Sequence, residues 1–353
     1  MKKAFFLNGG AGRVLCAIPA LEYYKQNTDP DVIIVAEAWA ELFMASSIIR
    51  DNVYHIGHKG LFEEKLKDRE IISPEPYRLN AYFNQKCNLI QAFDIIINDL
   101  SDIPKTKLFN LDINKTDQMF GYNMIDQVKQ GFGKEKVVVF QPFGSSVVKE
   151  GRFVIDSSGR SFELKDVYTI VEELTKHYSV IMMANIDIPA EKQMGAILPQ
   201  GVNLLQWMGI INAADYFIGC DSMGQHYAHA LGKPATVVIG STCPENISYP
   251  ENKNFTIIDN GNGKRKYIPM RITHDYVGER FNEDLMVMTD EQVKKIIKSV
   301  TDKLGKTKQK SIDQNAINSL MSGHVHGPNC SHGLAGQPVL QESTPTPPFA
   351  KKA

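Results

Sequence analysis

The stretch "GCDSMGQHYAHALGKPATVVIGSTCPEN" (219–246) decides how this chain folds. An apolar run, "YFIGCD" (216–221), ends in an acid, and "SMGQHYAHAL" then carries helical periodicity with Asp221 or Ser222 as its N-cap. "GKP" stops that helix, and a second apolar run, "ATVVIGS" (235–241), ends in another turn, "GSTCPEN" (240–246). Strand, helix and strand in so few residues make a β-α-β unit, whose strands must lie parallel. Both turns then fall at carboxyl ends of neighbouring strands, the edge at which open α/β sheets bind ligands.

The same alternation runs through the chain in both directions. Expected strands are 3–8, 31–37, 53–57, 94–99 and 107–112, then 136–143, 179–185, 202–206, 216–221, 235–241 and 254–259. "RVLCAIPALEYYKQ" after the first strand and "KDVYTIVEELTKHY" (165–178) have the 3.6-residue period of helices. The pattern restarts after "QVKQGFGKEK" (127–136), so 1–132 reads as one α/β domain and 133–288 as a second. "TDEQVKKIIKSVTDKL" opens with a Thr cap and gives a C-terminal helix over 289–305. Residues 306–353, rich in Lys, Ser, Thr and Pro, read as a flexible tail.

Thirty-nine basic and 40 acidic side chains leave a net charge of −1, scattered rather than massed. A general nucleic-acid binder shows a basic stripe, which this sequence lacks. The five cysteines are odd in number and far apart, without C-x-x-C, which reads as a reduced, cytoplasmic chain. The apolar run in "MKKAFFLNGG" is too short for a signal peptide, and no stretch has the length of a transmembrane helix.

Several turns carry chemistry. In "NGGAGRVLCAIPAL" (8–21), Gly10 and Gly12 let backbone approach an anion at a helix N-terminus. The third glycine of a dinucleotide fingerprint is missing, although Glu37 ends the next strand where a ribose-binding acid would sit. In "FQPFGSSVVKEGRF" (140–153), Ser145, Ser146 and Lys149 offer hydroxyls and a cation to phosphate oxygens, without the P-loop spacing. Asp221 would repel a diphosphate, so it is expected to hold helix-end amides, leaving phosphate to Ser222 and Gly224. His226 falls one turn into that helix and points toward the ligand, while His229 packs or faces solvent; Thr242 caps or donates at the second turn. His324, His326, Cys330 and His332 form an H-x-H-x3-C-x-H cluster, a candidate Zn²⁺ site of non-standard spacing.

Together these segments resemble the lipopolysaccharide heptosyltransferases, glycosyltransferase family 9. The resemblance rests on "GRVLCAIPAL", on Ser145, Ser146 and Lys149, and above all on "DSMGQHYAHALGKP" followed by "GSTCPEN". Asp221 to His226 keep the family spacing, with the glycine one position late at Gly224. The resemblance implies an α/β, GT-B-like fold: two Rossmann-like domains facing across a cleft, the first for the acceptor and the second for a nucleotide diphosphate-sugar. It implies inverting sugar transfer to an acceptor glycan or other hydroxyl, with no cofactor required. Ser145, Ser146 and Lys149 would grip the diphosphate, and Asp221, Ser222, Gly224, His226 and Thr242 would shape the donor pocket. Where the family carries a basic aspartate, this chain has Arg13, which cannot act as a base. Glu37 or Asp99 would then replace it, or Arg13 would bind an anionic acceptor, or catalysis is lost. A non-catalytic nucleotide-sugar binder and a sugar-nucleotide epimerase or hydrolase are the alternatives.

Overall fold

The structure, a computed structural model, describes residues 2–150, 153–156, 158–184, 186, 188, 193–266, 283–308, 311–313, 315 and 317. The first half contains β1 (Lys3–Leu7), α1 (Ala11–Asn27), β2 (Ile33–Ala36), β3 (Val53–His55), β4 (Glu70–Ile72), α2 (Asn80–Phe83), α3 (Leu89–Ile97) and α4 (Lys115–Phe132). Its four strands form a parallel sheet in the order β3-β2-β1-β4. The second half contains β5 (Val137–Gln141), β6 (Val147–Glu150), β7 (Phe153–Asp156), α5 (Leu164–Leu174), β8 (Ser179–Met182), α6 (Leu204–Ala213) and β9 (Tyr216–Cys220). It continues with α7 (Met223–Ala230), β10 (Ala235–Ile239), α8 (Pro244–Ile247), β11 (Phe255–Asp259) and α9 (Asp290–Leu304). Here five strands form a parallel sheet, β11-β10-β9-β5-β8, while β6 and β7 pair separately as an antiparallel hairpin.

Strands β5, β9 and β10 are buried along their whole length, as expected for a sheet covered on both faces. One apolar core runs through both halves, joining Leu15 and Ile18 of α1 to Trp207 and Ile210 of α6 and Tyr227 of α7. Helix α4 leads from one sheet to the other and ends on Gly133 in a left-handed cap. It crosses α6 backbone to backbone: a β-carbon added to Gly209 would lie 2.1 Å from the Asp117 carbonyl oxygen.

Several expected strands differ. The Ile-rich run 94–97 belongs to α3, with 98–99 in the turn after it, because Asn88 and Gln91 form a capping box ahead of it and Leu89, Ile90, Phe93 and Ile97 fall on a buried helical stripe. Residues 202–206 likewise enter α6 through an Asn203–Gln206 capping box. Segment 107–112 joins neither sheet among the described residues; it runs past the 3-10 turn at Ala40–Ala45, where the Asp112 amide donates to the Ala45 carbonyl. Strand β4 and the β6–β7 hairpin carried no alternating signal of their own. The C-terminal helix appears as expected, with Thr289 and Gln292 as its capping box.

The tail expectation is corrected at its beginning. Thr307 and His177 hydrogen-bond each other, the Tyr178 hydroxyl donates to the Gly305 carbonyl, the Asp313 amide donates to the Gly131 carbonyl, and Ile317 is buried. His324, His326, Cys330 and His332 lie outside the described residues. Among the described residues no helix is long and apolar enough to cross a membrane.

Two stability predictions follow from these contacts. Gly209→Ala forces α4 and α6 apart and is expected to cost about 2–3 kcal/mol, measured by chemical denaturation. Truncation after Gly305 removes the docked segment and is expected to lower Tm by roughly 2–4 °C; an unchanged Tm would show that the docking adds nothing.

Candidate active site

Each sheet has one point at which consecutive strands leave in opposite directions. In the first sheet the chain goes from β1 outward through β2 to β3, then returns to add β4 on the other side of β1. In the second it goes from β5 to β8 on one side, then to β9 on the other. Helices leaving such a pair of strands diverge, so a crevice opens at the carboxyl edge between them. The two crevices therefore lie between β1 and β4 and between β5 and β9.

The first crevice is occupied by Arg13. This side chain is buried, and its guanidinium donates to the backbone and side-chain oxygens of Asn8 and, at 2.6 Å, to the Pro74 carbonyl. Glu75 lies 3.6 Å away, and the rings of Tyr77 and Phe93 flank the cation. Arg13 thus ties the turn after β1 to the turn after β4. Gly10 is the N-cap of α1. Gly12 faces the other domain, where a β-carbon would lie 3.0 Å from His226 Cδ2.

The second crevice is lined by Gln141, Asp221, Ser222, Thr242 and Arg160. Asp221 follows β9 and is buried, and its carboxylate accepts from Thr242 Oγ1 at 2.8 Å and Gln225 Nε2 at 3.1 Å. Arg160 approaches to 3.9 Å from that carboxylate and donates to the Asp221 carbonyl at 3.3 Å. Burial pushes the Asp221 carboxyl above its ordinary value, while Arg160 and Thr242 pull it back. The expected hold on helix-end amides passes instead to Gln141. Its carboxamide oxygen accepts from the Gly224 amide at 2.9 Å, and its nitrogen donates to Ser222 Oγ at 3.0 Å. Position 224 must be glycine, since a β-carbon there would lie 2.3 Å from Gln141 Oε1.

Arg160 is the residue that sequence reading missed. Asp156, at the end of β7, accepts from Ser158 and Ser161, and Ser158 Oγ accepts from Arg160 Nε at 2.9 Å. This Asp-centred loop aims the guanidinium at the end of β9, with Gly144 beneath it. The "D-S-S-G-R-S" pattern, an acid followed by hydroxyls and an arginine, was the available signal. Ser145 and Ser146 lie in the turn between β5 and the hairpin; Lys149 is exposed on β6, paired across to Val154.

His226 is buried at the domain junction instead of lining an open pocket. Its Nδ1 shares a 2.6 Å hydrogen bond with the Tyr249 hydroxyl and lies 3.6 Å from Cys16 Sγ of α1. His229 packs, as expected, with its ring stacked on Tyr249 at 3.5 Å and its Nδ1 bonded to Asn252. Burial holds His226 down to about 3 and His229 down to about 4. Glu37 is exposed just past β2, at the carboxyl edge. Asp99 is not: it pairs with Lys3 at 2.5 Å, at the opening of β1, hence on the opposite edge of the sheet. The reason is that 94–97 is helical: α3 runs back from the carboxyl edge, so the turn after it, which holds Asp99, falls at the amino edge. Among the described residues no group of three or more His, Cys, Asp or Glu is placed to hold a metal ion.

Neither a family model nor a curated protein sequence matches the chain. Solved structures do. The Escherichia coli ADP-heptose lipopolysaccharide heptosyltransferase II is 13% identical with a TM-score of 0.53, over 86% of this chain and 98% of that one. A glycosyltransferase family 9 protein from Veillonella parvula is 14% identical with a TM-score of 0.55, over 85% and 96%. The iron-containing heptosyltransferase TibC from enterotoxigenic E. coli, in complex with ADP-D-β-D-heptose, is 13% identical with a TM-score of 0.51, over 86% and 78%. The fold is GT-B. This GT-B chain therefore has the expected pair of Rossmann-like domains, with the second-domain crevice on the side where the Asp221 turn, the Thr242 turn and Arg160 meet.

The two buried histidines make stability pH-dependent. Both are held neutral in the fold, below the ordinary value of 6.5, so the unfolded chain binds more protons between 6.5 and the folded values. Their contribution is complete above 6.5 and is lost as pH falls, at roughly 1.4 kcal/mol per unit for each histidine. Tm is expected to drop between pH 7 and pH 5, and His229→Gln to flatten that drop; a Tm flat across this range would contradict the burial.

Proposed function

We propose that this protein is a glycosyltransferase that moves a sugar from a nucleotide diphosphate-sugar to an acceptor hydroxyl, with inversion and without a metal. The observation that carries the reading is the meeting of Arg160, Ser222, Asp221 and Thr242 at the switch point of the second sheet of a GT-B fold. Arg160 supplies a fixed cation for the leaving diphosphate, and its planar fork suits two phosphate oxygens. Ser222 and the first turn of α7 add neutral donors, and Ser145 and Ser146 in the turn after β5, with Lys149 on β6, are the further phosphate contacts in this reading. Asp221 does not touch the phosphates in this reading; it orients Arg160 and Thr242. Charge developing on the departing phosphate oxygen is thus met by groups already in place, the usual source of rate in such transfers. Glu37 is the one proposed base that lies at the carboxyl edge of the first sheet, so it takes the proton of the attacking hydroxyl.

The heptosyltransferase structures support an adenosine diphosphate-sugar as the first donor to try. Free thiols at Cys16, Cys87, Cys220 and Cys243 support a reducing, cytoplasmic setting. Arg13, buried where the family's aspartate is expected, supports a second reading, a binding module without turnover.

Calorimetry with ADP, UDP and GDP tests the proposal. At least one is expected to bind, with Arg160→Lys weakening it about tenfold, roughly 1.4 kcal/mol, and Lys149→Ala weakening it less. Folding of each variant is checked by its Tm. No binding by any of the three would remove the reading. Binding without transfer to any acceptor would favour the module, and loss of donor without acceptor would favour the epimerase or hydrolase.

A further inference from the structure

Trp39 holds a backbone conformation that bulky residues rarely adopt, with φ 56° and ψ 41° in the left-handed region. Glycine or asparagine would sit there with less strain, and strain of this kind collects at functional sites. The indole Nε1 donates to the Gly9 carbonyl at 3.0 Å, which spreads the ring over the turn after β1. Even so, 38% of the residue stays exposed. Two positions earlier Glu37 is exposed as well, and its amide is fixed to the Leu7 carbonyl at 2.9 Å. Beside them the space is open: a β-carbon built on Gly10 meets no atom within 4 Å. The 3-10 turn that follows, Ala40–Ala45, packs on α6 of the second domain, so this edge lies at the domain junction. An aromatic face, a carboxylate and an exposed glycine turn therefore share the carboxyl edge of the first sheet.

We propose that Trp39 is the platform on which the sugar ring of the acceptor stacks, presenting a ring hydroxyl to Glu37. This rests on the glycosyl-transfer reading above and names its acceptor class: a neutral pyranoside. The C–H face of a pyranose is apolar and packs on an aromatic ring, leaving hydroxyls at its rim for hydrogen bonds. A neutral ring fits because the exposed Glu37 and Glu41 each lie two residues from Trp39 in the chain, while the buried Arg13 cation is engaged by Asn8 and Pro74. In the transfer, the acceptor oxygen bonds to the anomeric carbon of the donor as Glu37 takes its proton. The bond from that carbon to the diphosphate breaks, and its electron pair leaves on the phosphate oxygen.

The chain has two tryptophans, and the other, Trp207, is buried. In the full-length Trp207→Phe variant, emission therefore reports on Trp39 alone. Methyl glucoside, methyl galactoside and methyl mannoside are titrated, with sorbitol as the acyclic control and adenosine as a competing flat ligand. At least one methyl pyranoside is expected to shift Trp39 emission saturably, with no response to sorbitol or adenosine. The same sugars are expected to leave the emission of Trp39→Phe unchanged, and both variants to bind ADP as the parent does. No shift with any pyranoside overturns the proposal, as does a shift with adenosine alone, which would make the ring a nucleobase platform. Failure of every form to bind ADP, UDP or GDP would remove the transfer reading, while the emission result would still decide whether Trp39 holds a sugar.

Discussion

The contact on which the rest of this structure depends is the approach of α7 to α1. Gly12 of α1 leaves room for the His226 ring, and Cys16, one turn on, lies against the same imidazole. Two helices from different sheets thereby share one dry core. Burying an imidazole so completely requires that it be neutral and bonded, and the Tyr249 hydroxyl meets that need. Asn246 adds a second polar tie, donating across the junction to the carbonyls of Tyr82 and Cys87. With the domains fixed in this way, the carboxyl edges of both sheets look into the same space.

The two crevices on those edges have been put to different uses. Between β1 and β4, Arg13 fills the gap and locks two turns together. Between β5 and β9, the comparable cation, Arg160, comes from a loop beyond the hairpin and stands beside Asp221. That carboxylate, 3.9 Å away, holds the cation in place. Gln141 completes the arrangement by taking the Gly224 amide in the first turn of α7. This crevice is thus assembled from three strand ends and one loop.

Where a residue's position followed from its own strand or helix end, the sequence was enough to place it. Asp221, Ser222 and Thr242 were found because apolar runs end just before them. Arg160 was not, because its position depends on a hairpin and on an Asp156-centred loop whose hydrogen bonds leave no periodic trace. Asp99 was misplaced for a related reason. Three consecutive isoleucines favour a strand locally, but the Asn88–Gln91 capping box and packing on α1 make the segment helical. Changing strand to helix moved the acid from one edge of the sheet to the other.

By itself the sequence determined the α/β alternation, the two-domain repeat and the turns at the carboxyl ends of β9 and β10. These are set by the period of burial along a few residues, and that period is written in the chain. Only the tertiary structure decided which charged groups meet: that Arg13 plugs one crevice, that Arg160 serves the other, and that His226 joins the domains. Those choices depend on desolvation and on partners more than 60 positions away in the chain, from Pro74 for Arg13 to Cys16 for His226. No local pattern encodes such a partner, because burial and charge pairing act through space rather than along the chain.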